Sequence, residues 1–280
     1  MKRILVTGAG SYIGQSLISY LKKWSDKYTV DGISTHDGQW EKSDFSSYDV
    51  IYHTAGIAHR KETKENTHLY YEVNRDLPLA VAGKAKMQGV KQFIFLSSIS
   101  VYGLDTGVIN EETPLNPRTH YGKSKLEAEQ KLQKLADKTF NITILRPPMV
   151  YGKNCKGNFQ KLVRLVEILP IFPRCNNQRS MIYIDNLSEF VRVCIDKELS
   201  GVFFPQNKEY VCTDELVRMI ARQKNKPMII SSVLGVIVKF LQPFSSRLRK
   251  AFGSLTICFS SDTNCIFAFV NIRRSIVQSL

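Results

Sequence analysis

A tyrosine and a lysine four residues apart are the side chains in this chain best suited to proton transfer. Tyr121 and Lys125 lie in the stretch YGKSK, at the start of a segment whose apolar pattern predicts an amphipathic helix over residues 121–138. The spacing places both side chains on one helical face. A free tyrosine has a pKa of about 10, and a neighbouring ammonium group lowers it because it favours the phenolate. The pair is therefore predicted to act as a general acid and base near neutral pH.

Two serines precede this pair at the end of a predicted strand. Ser97 and Ser98 close the segment KQFIFLSS, residues 91–98. A hydroxyl group at such a strand end can hydrogen-bond the oxygen of a substrate alcohol or carbonyl. The serines and the tyrosine–lysine pair together indicate chemistry on a carbon that carries oxygen.

A glycine-rich stretch, VTGAGSYIG, lies near the start of the chain. Its glycines are Gly8, Gly10 and Gly14, whereas the general dinucleotide fingerprint G-x-G-x-x-G has its third glycine one residue earlier. The stretch falls between a predicted strand over residues 3–7 and a predicted helix over residues 12–23. Backbone N–H groups at the start of such a helix can hold a pyrophosphate.

Strands and helices are predicted to alternate over the first half of the chain. These elements carry the residues named above and must bring them together. Further strands are predicted at 28–33, 48–56, 91–98 and 141–152, and helices at 74–90, with an interruption at Pro78, and at 121–138. This alternation predicts an α/β fold with a doubly wound parallel sheet. We expect a nucleotide-binding domain at 1–152, to which 181–205 returns as a strand and helix, and a smaller C-terminal substrate-binding lobe at 153–180 and 206–280.

These motifs together resemble those of the extended short-chain dehydrogenase/reductases, in the group of nucleotide-sugar NAD-dependent epimerases and dehydratases. The glycine stretch matches the pattern T-G-x-x-G-x-x-G, except that Ser11 stands where the middle glycine belongs and Gly10 is one position early. The resemblance extends from Met1 to about Tyr210 and implies a Rossmann-like fold. Residues 253–280 fit the family poorly.

The resemblance implies a role for particular residues. Ser98, Tyr121 and Lys125 would be the catalytic triad, with Ser97 as the alternative serine. The implied cofactor-binding residues are Gly8, Gly10, Ser11, Tyr12, Ile13, Gly14, Ser34, Asp44, Phe45, Ala55, Gly56, Tyr121, Lys125 and Pro147. Ser98, Tyr121, Asn158 and Arg179 would bind the substrate, and Asn74 matches a structural asparagine of the family.

The choice between NAD and NADP stays open at this point. NAD-binding proteins of this class carry an acidic residue about 20 positions after the glycines, where it binds the ribose 2′-hydroxyl. Here that position is Ser34, while Asp31 is expected to point elsewhere from inside its strand.

The family resemblance also limits which reactions are expected of this chain. Ile99 and Ser100 follow the active-site hydroxyl where the family's 4,6-dehydratases carry Asp-Glu, so dehydration is not expected. We find no Cys/His pair for epimerisation at C3 or C5. A 4-epimerase and a 4-keto-reductase acting at C4 of a UDP-hexose or UDP-N-acetylhexosamine remain, as enzymes of surface-polysaccharide sugar synthesis. The alternative is a non-catalytic NAD(P)-binding sensor or scaffold.

Composition limits the class of protein further. The chain has 280 residues, 43% of them hydrophobic, and a formal charge of +14, which favours anionic ligands. It carries no nucleic-acid-binding motif that we can place, and no such partner is expected. Six cysteines without a C-x-x-C pair predict reduced thiols, no metal site and a cytoplasmic location. A homodimer through the helix of Tyr121 is implied by the resemblance.

One apolar segment, residues 227–244, is too short and too interrupted to span a bilayer. The favoured interpretation is a lid helix over the substrate. With SSRLRK after it, the alternative is a weak peripheral contact with an anionic membrane surface.

Overall fold

The computed structural model describes residues 1–58, 60–259 and 270–280. These residues divide into two units. The first comprises 1–103, 115–147 and 187–205, and the second 104–114, 148–186 and 206–280. Part of the poorly matching segment 253–280 therefore lies outside the described residues.

A six-stranded parallel sheet forms the centre of the first unit. Its strands are β1 (Lys2–Thr7), β2 (Tyr28–Ile33), β3 (Val50–His53), β4 (Gln92–Leu96), β6 (Asn141–Leu145) and β10 (Gly201–Phe203). Their order across the sheet is β2–β1–β3–β4–β6–β10. The chain therefore leaves β1 towards one edge for β2 and crosses back to β3 on the other side of β1. Such a reversal creates a crevice at the carboxyl ends of β1 and β3, where open α/β sheets bind ligands.

Burial on both faces explains why these segments form a parallel sheet. All four residues of β3 are buried, as are the first four of β4, which is typical of strands covered by helices. Ile51, Phe93 and Ile144 of the sheet pack in one core cluster with Val81 and Leu132 of two helices. The prediction of a parallel α/β sheet is confirmed.

The helices of the first unit follow its strands. They are α1 (Tyr12–Leu21), α2 (Gln39–Lys42), α3 (Thr67–Tyr71), α4 (Leu77–Met87) and α5 (His120–Gln133). A π-helical turn, Glu72–Asp76, joins α3 to α4, and 3₁₀ turns span Lys22–Trp24 and Ile99–Tyr102. Pro78 lies in the first turn of α4 rather than interrupting a helix, because that turn has no use for the missing N–H group.

The second unit contains smaller elements. Its strands are β5 (Gly107–Ile109), β7 (Met149–Tyr151), β8 (Ile171–Pro173), β9 (Met181–Tyr183), β11 (Ile229–Ser231) and β12 (Leu255–Ile257). They pair as β5–β12, β7–β9 and β8–β11. Its helices are α6 (Asn158–Ile168), α8 (Thr213–Gln223), α9 (Ser232–Leu241), α10 (Ser246–Phe252) and α11 (Ile272–Ser279), with a 3₁₀ turn at Gln242–Phe244. Helix α7 (Ile184–Asp196) begins in this unit and ends in the first.

The structure differs from the predicted course of the chain at residues 181–196. The strand predicted there to return to the central sheet is β9, which pairs with β7 in a separate two-stranded sheet. The strand that joins the central sheet is β10, which pairs with β6. In the part of the chain that the structure describes, none of the helices has the length and apolar content needed to cross a bilayer.

Candidate active site

The glycine stretch forms the turn between β1 and α1 at the switch point of the sheet. Gly8 has a φ of +78°, and a Cβ atom there would lie 2.5 Å from the backbone nitrogen of Ala55. Only glycine tolerates both this conformation and this approach. Gly10 differs, because an added Cβ would meet nothing within 4 Å. The loop thus has a tightly packed side at Gly8 and an open side at Gly10, as expected of a phosphate cradle.

Ser11, which departs from the family's pattern, has a defined structural role. It is the N-cap residue of α1, and its Oγ accepts a hydrogen bond from the backbone N–H of Gly14 at 3.0 Å. A second hydrogen bond of 2.9 Å joins Oγ to Oγ1 of Thr54. Serine is among the preferred residues at this position. The hydroxyl group therefore stabilises the start of the helix whose first residues, Tyr12 and Ile13, are predicted to contact the cofactor.

We predict that alanine at Gly8 lowers the stability of the protein, whereas alanine at Gly10 weakens cofactor binding. Gly8→Ala is expected to destabilise the protein by more than about 1 kcal/mol, because the new side chain is strained and overlaps Ala55. Gly10→Ala is expected to leave the melting temperature almost unchanged and to weaken dinucleotide binding, because its methyl group enters the open side of the loop. Thermal unfolding and titration with NAD and NADP measure both effects. A Gly8→Ala variant as stable as the wild type would contradict this account.

The loop after β3, which carries Ala55 and Gly56, lies against the glycine turn at Gly8. Asn74, in the π-helical turn, holds this loop through Oδ1, which accepts from the N–H of Ile57 at 2.8 Å, and Nδ2, which donates to the Ile57 carbonyl at 3.1 Å. Nδ2 also lies 3.3 Å from Oγ of Ser124 on α5. Asn74 is fully buried. It therefore ties the loop predicted to run under the cofactor to the helix that carries Tyr121.

Asp44 and Phe45, which by the family resemblance would hold the adenine ring of the cofactor, are only partly available to it. Asp44 is exposed, and its carboxylate accepts hydrogen bonds from the backbone N–H and the hydroxyl group of Ser46, both at 2.9 Å. Phe45 is instead buried in the core, and its N–H donates to Gln88 Oε1 at 2.8 Å. The Phe45 side chain is thus occupied by core packing. Asp44 keeps an accessible carboxylate near the position predicted for the ring.

The residues at the ribose position behave as the strand pattern predicts. Asp31 lies inside β2, and its Oδ2 accepts from the Tyr48 hydroxyl at 2.9 Å. Ser34 follows the end of β2, where its Oγ accepts from the N–H of His36 at 3.2 Å. Neither arrangement distinguishes a ribose 2′-hydroxyl from a 2′-phosphate, so these residues suit either NAD or NADP.

The start of α5 is fixed by capping groups from near and far in the chain. Oγ1 of Thr119 accepts from the N–H of Gly122 at 3.1 Å. The Glu62 carboxylate accepts from the N–H groups of His120 at 3.1 Å and Tyr121 at 3.0 Å. An anionic side chain at a helix N-terminus satisfies otherwise unpaired donors. Glu62 therefore positions the backbone of Tyr121, and nothing in the sequence spacing indicated it.

Gly122 allows α5 to approach the turn that carries Ser98. A Cβ atom at Gly122 would lie 2.6 Å from the carbonyl oxygen of Ser100. On this approach the Ser98 hydroxyl lies near enough to the Tyr121 side chain to lower the pKa of its phenol. Ser98 also caps the 3₁₀ turn, since its Oγ accepts from the N–H of Ser100 at 3.1 Å. The predicted serine and tyrosine are thus neighbours.

The Ser97 hydroxyl group belongs to a buried network of hydrogen bonds. Its hydroxyl donates to the Glu129 carboxylate, which pairs with the guanidinium group of Arg146 through contacts of 2.5–3.2 Å. Arg146 Nη1 also donates to the hydroxyl of Tyr102 at 2.9 Å. This network joins α5 to the end of β6, directly before Pro147, whose carbonyl accepts from the N–H of Ile99 at 3.2 Å. Ser98 is half-buried, and its hydroxyl donates to Ser100 Oγ in its own turn at 3.1 Å. Of the two serines, it is therefore the better placed to meet a substrate.

Lys125 is almost completely buried on the same helix. Its Nζ donates to the carbonyl of Leu96 at 2.8 Å and lies 4.5 Å from the centre of the Phe95 ring. An added Cβ at Gly56 would lie 3.4 Å from Nζ. One hydrogen bond uses one of the three donors of an ammonium group. The geometry therefore suits a lysine that also donates to a ribose hydroxyl above the loop.

The electrostatics correct one expectation. Burial raises the pKa of Tyr121, and the hydrogen bond from Ser98 lowers it only in part. Burial also lowers the pKa of Lys125 to about 7, against the opposing effect of Glu129. The simple expectation that the Lys125 ammonium group lowers the pKa of Tyr121 is therefore wrong for the protein without its cofactor, because desolvation of both groups dominates.

The lowered pKa of Lys125 predicts a pH-dependent stability. An unfolded lysine titrates near 10.4, so between about pH 7 and pH 10 the unfolded chain binds more protons than the folded one. The contribution of Lys125 to the free energy of unfolding therefore rises with pH across this window. We expect the wild type to gain stability relative to Lys125→Met between about pH 7 and pH 9. Urea denaturation measures this difference, and the exposed Lys123→Met is the matched control, which should show no such change.

The two predicted substrate-binding residues of the second unit have different surroundings. Asn158 is the exposed first residue of α6, directly after Gly157, whose φ is +100°. Arg179 is half-buried, and its Nη1 donates to the carbonyl of Gly253 at 2.7 Å. Burial lowers the pKa of Arg179, while Asp105 raises it. Their roles in binding the substrate remain predictions.

Two cysteines that are distant in sequence come together in the second unit. Cys175, Cys212 and Asp214 have ligand atoms within 4.8 Å of one another, and the Cys212 thiol donates to Asp214 Oδ1 at 2.7 Å. Sequence spacing gave no sign of this cluster. Thiols and a carboxylate at these distances suit a thiophilic cation, so the expected absence of a metal site stays a prediction.

Known proteins are similar to this chain in sequence and in fold. A family model described as the NAD dependent epimerase/dehydratase family matches residues 4–203. A UDP-glucose 4-epimerase from Vibrio cholerae is 36% identical over 252 residues, which cover 81% of this chain and 77% of that protein. An Escherichia coli O157:H7 protein, named N-acetyl-alpha-D-glucosaminyl-diphospho-ditrans,octacis-undecaprenol 4-epimerase, is 27% identical over 242 residues, with 80% and 72% coverage.

A solved structure shows the same fold over the whole chain. The UDP-glucuronic acid 4-epimerase from Bacillus cereus, in complex with NAD, aligns with a TM-score of 0.76 and 20% identity. The alignment covers 99% of this chain and 97% of that protein. At this identity the likeness concerns the fold. The family model and the Vibrio cholerae relative carry the assignment: the chain belongs to the NAD-dependent epimerase/dehydratase family and is an enzyme that uses NAD or NADP.

Proposed function

We propose that this enzyme is a nucleotide-sugar 4-epimerase that inverts C4 of a UDP-hexose or UDP-N-acetylhexosamine. The observation that carries the proposal is the arrangement of Ser98, Tyr121 and Lys125. A serine hydroxyl group next to the phenol at the start of α5 is suited to removing and returning the proton of a sugar alcohol.

The residues of the chain would divide the work as follows. Oη of Tyr121 accepts the proton of the C4 hydroxyl as that carbon becomes a ketone, and returns it after the sugar has turned. The Ser98 hydroxyl donates a hydrogen bond to the same oxygen and holds it beside Tyr121. Lys125 Nζ, anchored on Leu96, holds the ribose next to the nicotinamide. The nicotinamide, when bound, supplies the hydride acceptor and donor.

The surroundings of Ser98 argue against dehydration. Ile99 and Ser100 follow it in the 3₁₀ turn, where they offer no carboxyl group. Glu129 is buried in an ion pair with Arg146 and hydrogen-bonded by Ser97. A carboxylate that is neutralised in this way is a poor acid for expelling a hydroxyl group. C4 chemistry without loss of water is therefore favoured.

Names of relatives favour epimerisation over 4-keto reduction. The Vibrio cholerae and Escherichia coli relatives are both named as 4-epimerases. Both reactions use the same three residues, and they differ in whether hydride is recycled or consumed. A 4-keto-reductase is accordingly the second candidate, and a non-catalytic NAD(P)-binding sensor or scaffold is the third.

Product analysis with purified protein separates these candidates. UDP-glucose, UDP-N-acetylglucosamine and a UDP-4-keto-6-deoxy sugar are each incubated with and without added NADH or NADPH. Interconversion of C4 epimers without added reductant is the expected result. Stoichiometric consumption of NADH or NADPH with the keto-sugar alone would identify a reductase. Bound cofactor without turnover in any mixture would identify a sensor or scaffold.

We further propose the setting in which the enzyme works. A cytoplasmic location suits a user of nicotinamide cofactors and nucleotide sugars, and surface-polysaccharide synthesis suits the names of the relatives. A homodimer through α5 would be detected as twice the monomer mass by light scattering. A weak peripheral contact with a membrane completes the proposal, as expected for an enzyme that feeds membrane-bound glycosyl transfer.

A further inference from the structure

Helix α9 packs on its unit through a glycine. At Gly235, an added Cβ would lie 2.4 Å from the carbonyl oxygen of Arg174, which follows β8. So close a backbone approach fixes which side of the helix faces its unit. Ser231 is the N-cap residue of α9, and its Oγ accepts a hydrogen bond from the N–H of Leu234 at 3.2 Å. This hydrogen bond fixes where the helix begins.

The opposite side of α9 is apolar and open to solvent. Successive residues of a helix are about 100° apart, so Val233, Ile237 and Phe240 point away from Gly235. Val236 is 70% exposed and Phe240 is 73% exposed, and none of the residues of α9 is buried. Phe244 in the following 3₁₀ turn is 81% exposed, and its ring centre lies 6.4 Å from that of Phe240. We call these five residues the α9 face.

An exposed face of this kind requires a partner. Single exposed apolar residues are ordinary, whereas contiguous apolar patches on soluble proteins mark interaction sites. The α9 face departs from the lid interpretation, because a lid helix would turn its large apolar side chains towards the protein. Here the helix turns a glycine inwards and its valines and phenylalanines outwards.

Charge identifies the partner. Residues 216–261 contain eight lysines and arginines and no aspartate or glutamate. Lys239, Arg247 and Lys250, on α9 and α10, are exposed, and Lys250 lies 3.6 Å from the Asp105 carboxylate. A second copy of this chain, with its net charge of +14, would be repelled by such a border. An anionic lipid surface is attracted by it and accepts the apolar side chains between the acyl chains.

We propose that the α9 face docks the protein on an anionic bilayer, with Val233, Val236, Ile237, Phe240 and Phe244 entering the interface and the neighbouring cations contacting lipid phosphates. This inference extends the peripheral contact proposed above and does not rest on C4 chemistry.

Vesicle co-sedimentation of the full-length protein tests the inference. Vesicles of phosphatidylcholine alone are compared with vesicles of equal parts phosphatidylcholine and phosphatidylglycerol. We expect binding to the anionic vesicles, weakened by salt. Val236→Ser with Phe240→Ser should lower the partition coefficient by roughly tenfold or more, because two inserted side chains are lost. Arg247→Ser with Lys250→Ser should lower binding to anionic vesicles only.

Controls make each outcome decisive. Met87→Ser, in α4, removes a side chain that is equally exposed but lies outside the face, and should bind like the wild type. Because the replaced residues are exposed, circular dichroism should show folded variants. Equal binding of the Val236→Ser/Phe240→Ser variant and the wild type would overturn the inference. The inference would also be overturned if the folded wild type bound no vesicles. A change of oligomer mass in the Val236→Ser/Phe240→Ser variant alone would overturn it as well.

Epimerisation is assayed in the same samples. Vesicle binding without epimerisation would count against the proposed function and leave the docking surface standing. Epimerisation without vesicle binding would overturn the docking surface and leave the proposed function standing.

Discussion

Replacing Tyr121 with phenylalanine is expected to lower kcat for C4 interconversion by roughly a thousandfold, within the range of general acid–base catalysis. The phenol oxygen is the atom that would accept and return the C4 proton, and phenylalanine removes only that atom. The ring is half-buried at the start of α5, where Thr119 and Glu62 cap the helix through the backbone. Those capping bonds do not involve the phenol, so folding and cofactor binding should survive.

Tyr48→Phe is the matched control for this prediction. It also removes one hydroxyl group, here one that donates to Asp31 at 2.9 Å, away from α5. We expect turnover close to that of the wild type and, in both variants, unchanged NAD or NADP affinity by titration. A Tyr121→Phe enzyme with more than about a tenth of wild-type kcat would assign the proton transfer to another group.

Removing either charge of the Glu129–Arg146 pair is expected to destabilise the protein by about 3–5 kcal/mol, because the remaining charge is left buried. The side chains of Arg146 and Glu129 are only 9% and 1% exposed. Arg146→Met leaves the Glu129 carboxylate without its counterion, and Glu129→Gln leaves the guanidinium group without its partner. Urea denaturation measures both variants. The double variant should be less destabilised than the sum of the two, since it buries no unpaired charge.

The Arg75–Glu127 pair provides the control. It also connects to α5, with a contact of 2.9 Å, but its side chains are 25% and 41% exposed. Arg75→Met should cost about 1 kcal/mol or less, because solvent screens exposed pairs. If Arg146→Met cost no more than this control, the buried network would not be what holds α5 against β6.

Residue spacing alone was enough to predict the framework of the first unit. Strands β1 and β4 were predicted to within a few residues, because buried parallel strands are continuous apolar runs between turn residues. Strand β2, at the edge of the sheet, was predicted with its observed bounds. The four-residue spacing of Tyr121 and Lys125 predicted one helical face for the same local reason. The tyrosine–lysine pair and the glycine loop then led to the family, which the comparisons confirm.

Properties that depend on distant contacts were not predictable in this way. The lowered pKa of Lys125 follows from its burial, and the choice of Ser98 over Ser97 follows from the ion pair that occupies Ser97. The capping of α5 by Glu62 and the approach of Cys175 to Cys212 join residues separated by dozens of positions. Local patterns carry no information about such pairs.

The sequence by itself determined the alternation of strands and helices in the first unit, the nucleotide loop and the residue types available for proton transfer, since these depend on interactions within a few residues. The tertiary structure alone decided how those groups are solvated and which of them are already engaged. It joined the Ser11 hydroxyl to Thr54, placed Phe45 in the core and left the apolar side of α9 facing water. The physical reason is that desolvation, ion pairing and exposure are properties of the space around a side chain, which the packing of distant segments creates.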